Sequence, residues 1–164
     1  MKVKSLVVAL LLSIIPALAS AHDYTQDNLK IDHPWSRPTP PGTPTGVGYL
    51  TITNIGEAPI TLIGAQTPRA GHVSIHESSM SDGVMSMKPL KQGLVIPAGE
   101  TVELKPHSYH LMLEKLPEPL HEGERIPLTL KFRGAETVQV ELTVEPLDYG
   151  VMKKEMDHSG HQME

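Results

Sequence analysis

Apolar and polar residues alternate along most of this chain with a period of two, the signature of half-buried strands. The clearest stretch is near the C-terminal end. Ile126, Leu128, Leu130 and Phe132 face one way, and after Arg133-Gly134-Ala135-Glu136 so do Val138, Val140, Leu142 and Val144. Gly46 to Asn54 and Pro59 to Ala65 read as two strands around an Ile55-Gly56-Glu57 turn. In the next, His72 to Glu77, Val73 and Ile75 lie on one face and His72, Ser74 and His76 on the other. Ser81-Asp82-Gly83 predicts a turn, followed by a strand from Val84 to Lys88. Pro97-Ala98-Gly99-Glu100 predicts another. Val102 and Leu104 then alternate with Glu103 and Lys105, and Tyr109 to Leu113 forms a short strand. The proline-rich stretch 33–44 reads as extended.

No long stretch has helical periodicity, and 15 prolines with 13 glycines cut the chain into short pieces. Seven to nine short strands at this spacing predict an all-β domain, a β-sandwich with Greek-key connections. An up-and-down barrel stays open, because periodicity does not fix topology.

Both ends depart from this pattern. Lys2 and Lys4 precede an apolar run from Leu6 to Leu18, and Ala19-Ser20-Ala21 supplies a small-x-small cleavage pattern. Residues 1–21 therefore read as a secretory signal peptide. The run is shorter than the roughly 20 residues a membrane span needs. Cleavage after Ala21 would make His22 the new N-terminus of an exported protein with no stable membrane insertion. Residues 22–149 form the expected domain. Residues 150–164 carry three Met and two His, and read as a flexible Met/His-rich tail.

Composition narrows the chemistry. The formal charge of −5 becomes −7 once Lys2 and Lys4 are removed. That acidity argues against nucleic acid or an anionic membrane as a partner. The chain has no cysteine, so neither disulfides nor thiolate ligands are available, yet it has eight Met and nine His. No Ser/His/Asp set, carboxylate pair or phosphate-binding glycine loop points to catalysis. A blue-copper electron-transfer site needs a thiolate and is disfavoured.

Four residues stand out: His76, Met87, His110 and Met112. With Leu111 and Leu113 pointing to the core, His110 and Met112 share the other, surface-facing side about 7 Å apart. Met85 and Met87 flank Ser86 in the same way. Thioether sulfur is a soft, neutral ligand that favours Cu(I), and imidazole accepts either copper state. Two Met and two His without an anionic ligand suit Cu(I) over Zn(II), Mn(II) or Mg(II). Met85 and Met87 as core fillers are the competing reading.

Ile75-His76-Glu77, Met80, Asp82-Gly83-Val84-Met85-Ser86-Met87, Pro97-Ala98-Gly99 and Tyr109-His110-Leu111-Met112-Leu113 together resemble the PCuAC family of periplasmic copper chaperones. The resemblance extends upstream through Trp35-Ser36-Arg37, Pro40-Pro41-Gly42, Gly48-Tyr49-Leu50 and Asn54, and downstream through Glu122-Gly123 and Pro127-Leu128-Thr129-Leu130. It covers roughly residues 28–146. It implies a cupredoxin-like sandwich that binds Cu(I) with His76, Met87, His110 and Met112. It also implies delivery to respiratory haem-copper oxidases, with an oxidase copper domain or a thiol-containing copper chaperone as acceptor. His107-Ser108 departs from the family pattern, where a small glycine-rich turn is expected; His107 is an incidental loop residue or an extra weak ligand. Met80 is expected in the loop before the turn, as a lid or spacer.

Two further copper sites enter as expectations. Met152, Met156, His158, His161 and Met163 compose a possible second site, with Cu(II) held by imidazoles and Cu(I) by thioethers. His22, through its amine and imidazole, with His33 or His72, makes a copper oxygenase the minor alternative. A passive copper buffer built on the tail is the other.

Overall fold

The computed structural model describes residues 23–149; the expected signal peptide, His22 and the Met/His-rich residues 150–164 lie outside them. The described residues form eleven strands. They are β1 (Tyr24–Gln26), β2 (Leu29–Ser36), β3 (Thr45–Asn54), β4 (Ile60–Gln66), β5 (His72–Ser81), β6 (Val84–Pro89), β7 (Leu94–Ile96), β8 (Thr101–Leu104), β9 (Tyr109–Glu114), β10 (Arg125–Arg133) and β11 (Val138–Val144).

Hydrogen-bonded neighbours run in the order β6-β5-β9-β8-β3-β2-β11-β10-β4-β7, with β1 on β2 and a further pairing of β9 with β3. The strands fold over one core as a cupredoxin-like sandwich. Leu29, Ile31, Ile52, Leu62, Leu111, Leu128 and Leu142, drawn from six different strands, belong to one buried cluster. Without disulfides this cluster holds the domain together, each fully buried aliphatic side chain contributing about 1.5–3 kcal/mol. β11 pairs with β2 in parallel. Parallel neighbours need crossover connections, so a simple up-and-down barrel is excluded.

The predicted strands are present, and three more accompany them. β7 is only three residues long, and β1 likewise, too short to show a period. β2 extends into the proline-rich stretch, which is a strand only as far as Ser36. Its register slips between Asp32 and Trp35, where His33 adopts φ 45°. This bulge accommodates Pro34 in a strand that would otherwise lose a ladder donor.

Two buried polar residues anchor the frame. Asn54 Nδ2 donates to the carbonyls of Ala58 at 2.8 Å and Ile96 at 3.1 Å, while its Oδ1 accepts from Gly56 N–H. It shapes the β3–β4 turn and ties it to β7. Ser36 Oγ donates to the Val47 carbonyl at 2.6 Å.

Candidate metal centre

β5 and β9 are antiparallel, with Val73 opposite Leu113, Ile75 opposite Leu111, Ser74 opposite Met112, and His76 opposite His110. The apolar pairs enter the core, so the other four share the outer face. β6 adds Met87, opposite Ser78 and diagonal to His76. Val47 of β3 flanks Met112 on its other side. The register therefore brings His76, Met87, His110 and Met112 to one face at the β6-β5-β9 end of the sheet.

The two imidazoles sit with ring centroids 5.7 Å apart, tilted by 42°. His110 is buried, at 4% exposure, which corrects the expectation of a surface position. Strand parity gives the face but not what covers it, and His76 packs against this ring from the neighbouring strand. Met112 is half-buried and Met87 half-exposed. A groove of about 330 Å³, lined by Pro38, Val47, Met112 and Leu147 among others, opens onto Met112.

Hydrogen bonds fix how each ring is presented. His110 Nδ1 lies 3.1 Å from the Ser108 carbonyl and must donate to it, which leaves the Nε2 lone pair bare. Ser74 Oγ donates to Glu114 Oε2 at 3.1 Å and stands 2.9 Å from His76 Nε2. With its only proton on the carboxylate, the hydroxyl accepts from His76 Nε2–H, and the bare nitrogen is Nδ1. Those two atoms, His76 Nδ1 and His110 Nε2, are buried and without a hydrogen-bond partner. Buried polar atoms in proteins are rarely left so, and orphans of this kind are met by a bound ion or an ordered water. A metal–imidazole bond is about 2 Å long, so the ring spacing suits two imidazoles bent around one ion.

Electrostatics favour the neutral, ligating form. Burial, and next the neighbouring His110, hold the His76 pKa below the usual imidazole range, while Glu114 pulls the other way. Among the described residues no three His, Cys, Asp or Glu side chains gather in a way that could hold a metal. The soft donors that the register adds to this face are the thioethers of Met87 and Met112.

The turn before β9 explains the departure at His107. Ser108 N–H donates to the Lys105 carbonyl at 3.2 Å, closing a turn over Pro106 and His107. His107 takes φ 63°, the left-handed region where glycine is the usual choice. It is exposed. Met80 lies within β5 opposite Met85 of β6, and not in a loop as expected. The hairpin continues past Glu77, so strand pairing reaches the turn. The positioning pair Ser74 and Glu114 is missing from the sequence reading. Ser74 shares His76's face two residues away, and Glu114 shares that of His110 and Met112, but only the β5–β9 register joins them.

Residues 29–144 match the family model described as "LpqE-like: Putative lipoprotein LpqE-like". The chain belongs to the LpqE-like family. A relative, "Putative lipoprotein Lxx21020" of Leifsonia xyli, is 30% identical over 131 residues, covering 80% of this chain and 78% of its own. Among solved structures, the Cu(I) form of DR1885 from Deinococcus radiodurans is similar at 32% identity and a TM-score of 0.55, over 77% of this chain and 83% of that one. The apo PCuAC domain of PmoF2 gives 25% identity and 0.62, over 77% and 97%. Its copper-bound form gives 24% and 0.65, over 76% and 98%. The sandwich of this LpqE-like chain is thus the PCuAC fold, in agreement with the resemblance carried by its His/Met motif. No helix among the described residues is long and apolar enough to cross a membrane.

Proposed function

We propose that this protein is a periplasmic copper chaperone. It holds one Cu(I) with His76 Nδ1, His110 Nε2 and the sulfurs of Met87 and Met112, and passes it on for assembly of respiratory haem-copper oxidases. The observation that carries this reading is a buried, partnerless nitrogen on each of two directly opposed, neighbouring imidazoles, with two methionines on the same face. The likeness to DR1885, solved with Cu(I), supports the choice of metal.

The donor set suits a cargo. Thioethers are neutral and need no deprotonation to bind, so a thiolate-bearing acceptor can exceed their affinity. The unequal exposure of the ligands gives the release a direction. His110 lies deep and Met87 half-exposed, and the groove beside Met112 leaves that side open. An incoming ligand therefore displaces a methionine first, while the imidazoles still hold the ion.

A deletion strain grown at limiting and at ample copper tests the role. Oxidase activity should fall at limiting copper and recover when copper is added. Normal oxidase at limiting copper, together with sensitivity to high copper, would favour a copper buffer over delivery. A copper oxygenase built on His22, and a second copper site at Met152, Met156, His158, His161 and Met163, rest on residues outside those described.

A further inference from the structure

Beyond the end of β9 the β5–β6 hairpin continues as a two-stranded finger, since β5 pairs with β9 only as far as Glu77 opposite Tyr109. Its register is pinned by the turn and by a cross-strand hydroxyl contact. Asp82 and Gly83, both at positive φ (50° and 77°), form a two-residue turn of the kind that matches strand twist. Ser81 pairs with Val84, and Ser79 Oγ lies 3.1 Å from Ser86 Oγ on one face of the finger. Met80 and Met85 are directly opposite each other on the other face. Directly opposed side chains start about 5 Å apart at Cβ, within reach of one ion for two flexible thioethers. Both are exposed, Met80 at 64% and Met85 at 45%.

Parity places this pair on the side that carries His76 and Met87. Met85 is one two-residue step from Met87, about 7 Å along the strand. Met87, Met85 and Met80 thus lie on one face leading outward from His76 and His110 along a finger open to solvent.

We propose that Met80 and Met85 form a second, weaker Cu(I) site, a way station through which copper enters or leaves the site between β5 and β9. This rests on the reading of that main site as a copper site. Two neutral sulfurs and water make a shell that binds soft monovalent copper and lets it go easily. Methionines on one face let an ion move from one pair of ligands to the next without passing free through water.

The test is a titration of the full mature chain, carrying methyl-labelled methionine, with Cu(I) under reducing, oxygen-free conditions. The first equivalent should shift the Met87 and Met112 methyls. Further copper should shift those of Met80 and Met85, with an affinity at least tenfold lower. The double variant Met80→Leu, Met85→Leu keeps apolar bulk and removes both sulfurs. It should lose the second event, hold the first Cu(I) within twofold of the parent, and release it to a thiolate chelator several-fold more slowly. Met80 and Met85 methyls that stay unmoved, while Met87 and Met112 respond, overturn the way station and leave the main site standing. Their shifting in step with the first equivalent also overturns it, since they would then belong to the main site. A first equivalent that moves neither Met87 nor Met112 overturns the main-site reading, and the way station with it.

Discussion

His76 and His110 face each other across β5 and β9, and each spends one ring nitrogen on the protein and keeps the other buried and bare. This arrangement costs folding stability, because a buried polar atom without a partner forfeits its hydration, about 1–3 kcal/mol. A ligand recovers that cost.

His110→Leu should therefore separate binding from stability. It removes one bare nitrogen and keeps apolar bulk, at the expense of one hydrogen bond to the Ser108 carbonyl. Cu(I) affinity should fall by at least about a hundredfold, while the melting temperature of the metal-free protein stays level or rises, as expected where a site strains its fold. Chelator competition and thermal unfolding on one sample check both halves. A large drop in apo stability would mean that His110 is a structural residue.

Ser74→Ala should weaken Cu(I) binding about tenfold without removing a ligand. Groups that orient a ligating imidazole are commonly worth ten- to a hundredfold in affinity. The hydroxyl passes the hold of Glu114 on to His76 Nε2. Ser74→Thr, which retains the hydroxyl, should recover most of the loss in the same competition assay.

His107→Gly separates the two roles open to that residue. Exposure and a left-handed backbone make it a turn residue. The variant should bind Cu(I) as the parent does and unfold at an equal or slightly higher temperature. A weaker Cu(I) affinity would make His107 a ligand.

The Arg69–Glu124 pair predicts a pH dependence. Arg69 Nη2 donates to Glu124 Oε2 at 3.3 Å and to the Pro119 carbonyl at 3.0 Å. The hydrogen bond from Arg69 holds the Glu124 carboxyl below its usual pKa. A depressed folded pKa stabilises above the unfolded value, about 4.3 for Glu, and that stabilisation is lost as pH falls through the folded one. Glu124→Gln should be less stable than the parent at pH 7 by about 1 kcal/mol, as a partly exposed pair allows. The gap should narrow as pH falls below the usual Glu range and through the depressed folded pKa. A gap that is constant with pH would assign the effect to packing.

Much of this site is legible in the amino-acid sequence, and what is not has a physical reason. Alternation is local, so Leu111 and Leu113 place His110 and Met112 on one face without any knowledge of the fold. The 126–144 hairpin is legible for the same reason, with a core residue at every second position of both strands. Pairing between distant strands is not local. That His76 opposes His110, that Ser74 and Glu114 reach each other across 40 residues of sequence, and that His110 is covered all follow from the β5–β9 register. Two of the strands that escape detection, β1 and β7, have three residues each. In β2 the apolar alternation of Leu29 and Ile31 is interrupted by the bulge at His33-Pro34. The left-handed turn at His107 reads as a departure because histidine there gives no outward sign of the φ it adopts.

The central claim is that the bare nitrogens of His76 and His110 and the sulfurs of Met87 and Met112 hold one copper ion. Anomalous scattering at the copper edge from crystals of the Cu(I)-loaded protein tests it directly. The account predicts one strong peak between β5 and β9, about 2 Å from His76 Nδ1 and His110 Nε2 and about 2.3 Å from two methionine sulfurs. A strongest peak elsewhere, or copper bound there through His76 Nε2 or without sulfur, would contradict it.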